Sequence, residues 1–256
     1  MTAISATGLG FDVDGAGLVV DVDLSVEPGE LLGVVGPNGA GKSTLVGLLS
    51  GELTPTSGTV TLHGEDVTGL DTTELARRRA VLPQHTVLQF AFRCLEVVLM
   101  GRFPHESGES EDMAVAHEVM ADTDTSDLSD RVYTTLSGGE QTRVSLARVL
   151  AQSCPIVFLD EPTGSLDIRH QELVMSTLRG LADEGGAVVA VLHDLNLAAR
   201  YAHRVALMGG GSVVAVDETR DVLRADLLSE VYRHPIEVVE HPRLSCPLVL
   251  PGDGAT

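Results

Sequence analysis

Tryptophan is absent from this 256-residue chain, and aromatic residues make up only 3 % of it. A core built on stacked rings is therefore excluded. With 43 % hydrophobic residues the interior must be aliphatic, and the length allows one large domain or two small ones. Cysteine is scarce too. Cys94, Cys154 and Cys246 are scattered and odd in number, which argues against a disulfide framework and suits a reducing compartment. Long hydrophobic runs are missing: nothing approaches the ~18 consecutive apolar residues of a membrane-spanning helix. No basic segment followed by an apolar stretch opens the chain, so no secretory leader is expected. Positive charge is short, with 17 Lys plus Arg against 37 Asp plus Glu, a net charge of −20. Such a surface repels phosphate backbones and disfavours a nucleic-acid partner. Two readings of the acidity stay open: a solubilising surface, or adaptation to a salty cytoplasm that screens the self-repulsion. Lysine is the rarest basic residue, for Lys42 is the only one in the chain.

That lysine sits in the stretch Gly36-Pro37-Asn38-Gly39-Ala40-Gly41-Lys42-Ser43-Thr44, between a strand-like apolar run (Leu31 to Val35) and a helical pattern (Leu45, Val46, Leu48, Leu49). The context separates a phosphate-binding loop from a chance Gly-rich turn. Glycines let successive backbone N–H groups point inward as an anion nest, and the following helix adds its positive end. Lys42 is suited to the β- and γ-phosphates of a nucleotide, and the Ser43 hydroxyl to Mg²⁺.

Further along, Val19 to Val26 includes an alternating apolar set that ends at the turn Glu27 to Glu30. Thr59 to Gly64 reads as strand and turn, Thr73 to Arg79 as a helix, and Ala80 to Gln84 as a short strand ending in a polar residue. From 85 to 135 the texture becomes helical, with one helix over Leu95 to Met100 and another over 111–121; the acidic segment 106–130 reads as a solvated face. Ser137-Gly138-Gly139-Glu140 opens an amphipathic helix with capping-box spacing. A Gly-Gly pair in a first turn costs helix stability, about 1 kcal/mol per glycine relative to alanine in a helix interior. That cost is intelligible if exposed N–H groups meet an anion there. Ile156 to Glu161 is an apolar strand ending in two acids, which suggests a metal or a water to be held. Ala187 to Leu192 is a second apolar strand, followed by His193. Val205 to Met208 and Ser212 to Val216 read as closing strands, 217–232 as helical, and the remainder as a Pro-punctuated tail. Apolar strands alternating with helices imply an α/β fold with a largely parallel sheet, whose ligand sites lie at the carboxyl ends of strands. Lys42, Gln84, Asp160 and His193 each follow a predicted strand.

These residues, in this order, identify the chain as resembling ABC transporter ATPases: GPNGAGKST at 36–44, LPQ at 82–84, LSGGE at 136–140, IVFLDEPT at 156–163, SLD at 165–167 and VLHD at 191–194. The resemblance spans roughly residues 4–216. It implies a P-loop NTPase core with a mainly parallel sheet, an N-terminal antiparallel β subdomain and an inserted helical subdomain. The implied division is a catalytic core of 1–84 and 154–216, a helical subdomain of 85–153 and a C-terminal extension of 217–256. By the same resemblance Gly36 to Thr44 is the Walker A loop, Gln84 contacts Mg²⁺ and senses the membrane partner, and Asp160 holds Mg²⁺ with Ser43. Glu161 is then the general base and His193 the switch on the γ-phosphate. Ser137, Gly138, Gly139 and Glu140 form the signature that closes over the ATP of a second copy, with Asp167 as the D-loop aspartate. The segment after the Walker B strand reads EPTGSLD where many relatives have EPTSALD. Phe11 is either an adenine-stacking aromatic or a core residue.

A narrower likeness exists to the ATP-binding subunits of bacterial haem (hemin) importers. It is carried by ELARRRAVLPQH (74–85), EVVLMGR (96–102), LDIRHQ (166–171), LHDLNLAARYAHR (192–204) and the late HPIEVVEHP, with His85, 167–170 and the tail as the discriminating stretches. Siderophore and vitamin B12 importer subunits are related. The implied activity is ATP hydrolysis, with ATP and Mg²⁺ as cofactors, powering haem uptake at the cytoplasmic face of the membrane. The implied partners are a second copy, membrane permease subunits and, indirectly, a solute-binding protein, with no nucleic acid. The alternatives are a siderophore or cobalamin cargo or, from another class, a soluble ABC ATPase of iron–sulfur assembly. The pairs Cys154-Pro155 and Cys246-Pro247 read as a buried cysteine before a strand and a tail turn rather than as haem sensors.

Overall fold

The computed structural model describes residues 2–253 apart from His85, Val87 and Gln89. His85, one of the discriminating positions above, therefore lies outside the described residues.

Two long strands open the chain, β1 (Ile4–Val13) and β2 (Ala16–Val26), followed by the short buried β3 (Leu31–Val35). Then come α1 (Lys42–Leu49), β4 (Ser57–Leu62), β5 (Glu65–Asp66), α2 (Thr72–Arg78) and β6 (Arg79–Leu82). Three helices follow: α3 (Cys94–Leu99), α4 (Glu109–Asp122) and α5 (Gly138–Ala151). β7 (Ile156–Asp160), α6 (Ile168–Asp183), β8 (Ala187–Val191) and α7 (Leu195–Tyr201) return the chain to the sheet. β9 (Arg204–Gly209) and β10 (Ser212–Glu218) close it, and α8 (Thr219–Val222), α9 (Ala225–Tyr232), β11 (Ile236–Glu240) and β12 (Pro247–Pro251) end the chain.

The central sheet has the order β10-β9-β3-β8-β7-β6, parallel throughout except for β10 against β9. Every residue of β3, β7 and β8 is buried, as a parallel sheet covered on both faces requires. Alternate residues serve opposite faces. Leu31, Val35, Val157, Leu159, Val188 and Ala190 join a cluster with α5, α6 and α7, while Leu32, Val34, Ile156, Phe158, Val189 and Val191 pack toward α1 and the N-terminal sheet. That second sheet is antiparallel, in the order β2-β1-β4-β5. Its alternation carries one slip: Val22, Leu24 and Val26 are buried, but Val20 is exposed and Val19 takes the inner position. The register shifts there, and Asp21 adopts a left-handed φ of 49°, so a bulge turns the strand over by one residue.

The segment between β6 and β7 has an apolar cluster of its own, including Cys94, Val97, Met120, Tyr133 and Val144. Its acidic face is not wholly solvated. Arg102 is buried; its Nε donates to Asp112 at 2.8 Å and its guanidinium to the Ala151 carbonyl at 2.8 Å. That Arg102 donation and one from the Ser107 hydroxyl hold the Asp112 carboxyl below the usual carboxylate range.

Two expectations for the C-terminal end need correction. The helix read over 217–232 starts later, because β10 runs on to Glu218 and two short helices follow. The Pro-punctuated tail is a β-hairpin. β11 and β12 pair in register from Ile236↔Pro251 to Glu240↔Pro247, with the prolines at the outer end positions that an isolated two-stranded ribbon tolerates.

Candidate functional site

The loop after β3 is shaped by close backbone approach. A Cβ at Gly36 would stand 2.3 Å from the Met208 carbonyl oxygen, and one at Gly41 2.4 Å from that of Leu18. Their φ values, 148° and 94°, lie where side chains are strained, so both positions require glycine. Within the loop the Ala40 N–H donates to the Pro37 carbonyl at 3.2 Å, and Leu45 N–H to Gly41 at 2.8 Å as α1 begins. Asn38 and Gly39 are exposed at its tip, and Ser43 and Thr44 open the helix. The Lys42 ammonium folds back into the loop, donating to the Gly36 and Pro37 carbonyls at 2.8 and 3.0 Å. Its side chain is buried, and burial lowers its pKa against the opposing pull of Glu161 and Asp160.

Those two acids stand at the end of β7. Asp160 is 9 % exposed, and burial raises its pKa; the Ser43 hydroxyl pulls it back, Glu161 raises it further, and Lys42 and His193 lower it. Its Oδ1 is buried without a hydrogen-bond partner. An oxygen in that condition costs stability unless something held in the site engages it. Glu161 leaves the strand with a left-handed φ of 54°, a backbone state that costs a non-glycine residue about 1–2 kcal/mol. The turn swings its carboxylate to His193, whose Nε2 lies 2.5 Å from Oε1. His193 is carried by the loop between β8 and α7. Asp194 caps that helix, accepting from the Asn196 N–H at 2.7 Å and the Leu197 N–H at 3.3 Å.

Four of the expected groups thus follow four neighbouring parallel strands: Lys42 after β3, His193 after β8, Asp160 at the end of β7 and Gln84 after β6. Gln84 is exposed and lines a cavity of ≈ 570 Å³ with Asp160, Glu161 and Gly138. The start of α5 forms the far wall. Ser137 caps it in a complete capping box: the Glu140 N–H donates to Ser137 Oγ at 3.4 Å, and the Ser137 N–H to Glu140 Oε2 at 2.8 Å. The Ser137 N–H holds the Glu140 carboxyl below its ordinary range. Gly139 lets the segment after β7 come close, since a Cβ there would meet the Ser165 carbonyl oxygen at 3.1 Å.

Ser137 and Asp167 are not drawn into the Lys42–Asp160–His193 group; their hydrogen bonds are local. Asp167 caps α6, accepting from the His170 N–H at 2.9 Å, and this keeps its carboxyl acidic. Phe11 is half-buried on β1 against the N-terminal core. Cys154 is buried, which pushes its thiol up to about 11, and among the described residues the cysteines are free. Sequence reasoning missed Tyr232. Burial raises its phenol to about 12, and the Gly36 backbone N–H beside it pulls the other way. No local signal marks a tyrosine at the end of a C-terminal helix as a neighbour of a loop some two hundred residues earlier.

A family profile described as ABC transporter matches residues 19–164. Among curated proteins, the hemin import ATP-binding protein HmuV of Streptomyces coelicolor is 49 % identical over 249 residues, covering 96 % of this chain and 89 % of that one. The protein of the same name from Gloeobacter violaceus is 48 % identical, covering 97 % and 94 %. Among solved structures, a chain of a transporter described as of metal-chelate type, in an inward-facing conformation, superposes with a TM-score of 0.84 at 28 % identity, covering 99 % of both chains. The ATP-binding cassette MJ0796, as a post-hydrolysis dimer bound to ADP and Pi, gives 0.77 at 27 % identity, covering 85 % of this chain and 99 % of that one.

Proposed function

This chain belongs to the ABC transporter family as an ATP-binding, ATP-hydrolysing subunit, and from that premise we propose that it powers uptake of hemin through a separate membrane permease. What supports the catalytic reading above all is the meeting of Lys42, Asp160, Glu161 and His193 at the carboxyl ends of three adjacent parallel strands. Hemin as cargo follows from the names of relatives that share about half their residues with nearly the whole chain. Those import names also weigh against the iron–sulfur assembly alternative.

We assign roles as follows. The backbone N–H groups of Asn38, Gly39 and Gly41 to Thr44 cradle the phosphates. Lys42, with two of its three donors on the loop carbonyls, presents the third to the terminal phosphate. Glu161 takes the proton of the attacking water, and His193, bound to its carboxylate, orients that base and faces the γ-phosphoryl group. The partnerless Asp160 Oδ1 beside the Ser43 hydroxyl fits Mg²⁺, with Gln84 as a further ligand. Bound there, the ion would offset negative charge on the β- and γ-phosphate oxygens. Ser137, Gly138, Gly139 and Glu140, with Asp167, would close over the nucleotide of a second copy in a two-fold dimer, giving two isologous ATP sites. The division proposed is a catalytic core of 1–84 and 154–216, a helical subdomain of 85–153 that docks the permease, and an extension of 217–256. As the subunit that hydrolyses ATP for a permease, it would act at the cytoplasmic face; among the described residues no helix is long and apolar enough to cross a membrane.

The test is uptake in vesicles that carry the cognate permease and this subunit. Labelled hemin is expected to accumulate with ATP inside, and ferric siderophore and cobalamin are not. Transport of either of those in place of hemin would reassign the cargo. A Gln84→Ala variant is expected to lose transport by a larger factor than ATP hydrolysis; normal uptake would remove Gln84 from coupling.

A further inference from the structure

The imidazole of His193 is carried on a short loop, yet it must meet Glu161 at a fixed distance. Upstream the loop is anchored by the Leu192 N–H, which donates to the Val34 carbonyl at 3.0 Å. Downstream lies α7, only seven residues long. Three residues after His193, the Asn196 side chain reaches β12 of the C-terminal hairpin. Its Oδ1 accepts from the Val249 N–H at 2.8 Å, and its Nδ2 donates to the Val249 carbonyl at 3.2 Å. The side-chain amide thus stands in for a peptide group paired with β12.

The hairpin that receives it is itself tied down. The Ser229 hydroxyl of α9 accepts from the Ile236 N–H at 2.9 Å, and Arg220 of α8 grips Glu240 with two bonds of 3.0 and 2.6 Å. From the same unit Tyr232 lies against Gly36, the first residue of the phosphate loop. Between His193, Tyr232 and Val249 is a cavity of ≈ 350 Å³, room for the loop to swing into if it were released.

We propose that Asn196 is a positioning residue for His193: by pairing with the Val249 backbone it ties the start of α7 to the C-terminal hairpin and holds the imidazole against Glu161. The C-terminal unit is then a brace shared by the phosphate loop and the histidine loop. This inference rests on the reading of His193 given above.

The test is a double-mutant cycle in the full-length chain, read as ATPase kinetics. Asn196→Ala is expected to lower kcat ~10-fold with KM for ATP moved by less than about twofold, because orientation is lost and ground-state binding is not. If Asn196 acts through His193, the Asn196→Ala/His193→Ala pair loses no more than His193→Ala alone. The His193 ring signal in carbon–proton spectra, assigned by its loss in His193→Ala, is expected to move or broaden in Asn196→Ala. Wild-type kcat in Asn196→Ala, full additivity in the pair, or an unmoved ring signal each overturns the tie. If His193→Ala itself turns over normally, the role of His193 fails and the tie with it. A defect in His193→Ala without one in Asn196→Ala removes the tie alone.

Discussion

The two halves of the proposed nucleotide site are built in opposite ways. The half at the sheet edge is held by its own side chains: Lys42 and Asp160 are buried, and Glu161 and His193 hold each other. The half at the start of α5 is open. Ser137 is exposed, and its bonds run to Glu140 three residues on, a cap that nearly any helix could wear. The first half is assembled from residues of one chain around a single unpaired oxygen, Asp160 Oδ1, whereas the second is tied to Arg131 through Glu140 and to Ser165 through Thr142 and leaves Ser137 and Gly138 exposed. Its exposed N–H groups are then available to a phosphate brought by another copy.

The largest effect is expected at Glu161. Glu161→Gln keeps the shape but cannot accept a proton, and kcat is expected to fall ~10²–10⁴-fold with ATP binding retained. Gel filtration with ATP should then show the dimer accumulating, and undiminished turnover would strip the buried half of its base. The open half is probed by two substitutions at one position. Ser137→Ala loses the cap, worth about 1 kcal/mol, and should lower Tm by ~2–4 °C. Ser137→Asn restores a good cap, and with it Tm, but not the hydroxyl. If that hydroxyl serves a partner's nucleotide, Ser137→Asn stays down by ~10²-fold in kcat. Recovery of turnover together with Tm would reduce Ser137 to a helix cap. The smallest effect is on stability at Asp160. Its folded-state pKa is raised, so stability is full below the unfolded value of about 3.9 and is lost as pH rises through the folded value. At pH 7 the charge opposes folding, and Asp160→Asn is expected to raise Tm there while the gain fades toward pH 3. A lower Tm at pH 7 would mean that Asp160 is compensated within the fold.

Much of the site could be read from the letters because its parts sit where secondary structure changes. A polar residue ending an apolar strand, or a glycine opening a helix, is visible to local reasoning, and this located Lys42, Gln84, Asp160, His193 and the α5 cap. What escaped depends on partners distant in sequence. The hairpin of 236–251 was hidden because its two strands support each other and α7, and prolines at their ends resemble tail punctuation. Asp112 was lost in the acidic stretch 106–130 because its partner, Arg102, lies before that stretch and is buried against the distant carbonyl of Ala151. The slip in β2 was invisible because alternation in sequence continues through a bulge that the backbone makes at Asp21.

The solitary lysine also bears on chemistry performed from outside. Acylating reagents directed at amines find one ε-amine in this sequence, and it is sequestered by two carbonyls at the loop where nucleotide is expected. The rate at which it is acylated becomes a gauge of how often the loop opens, read with no competing signal from another lysine.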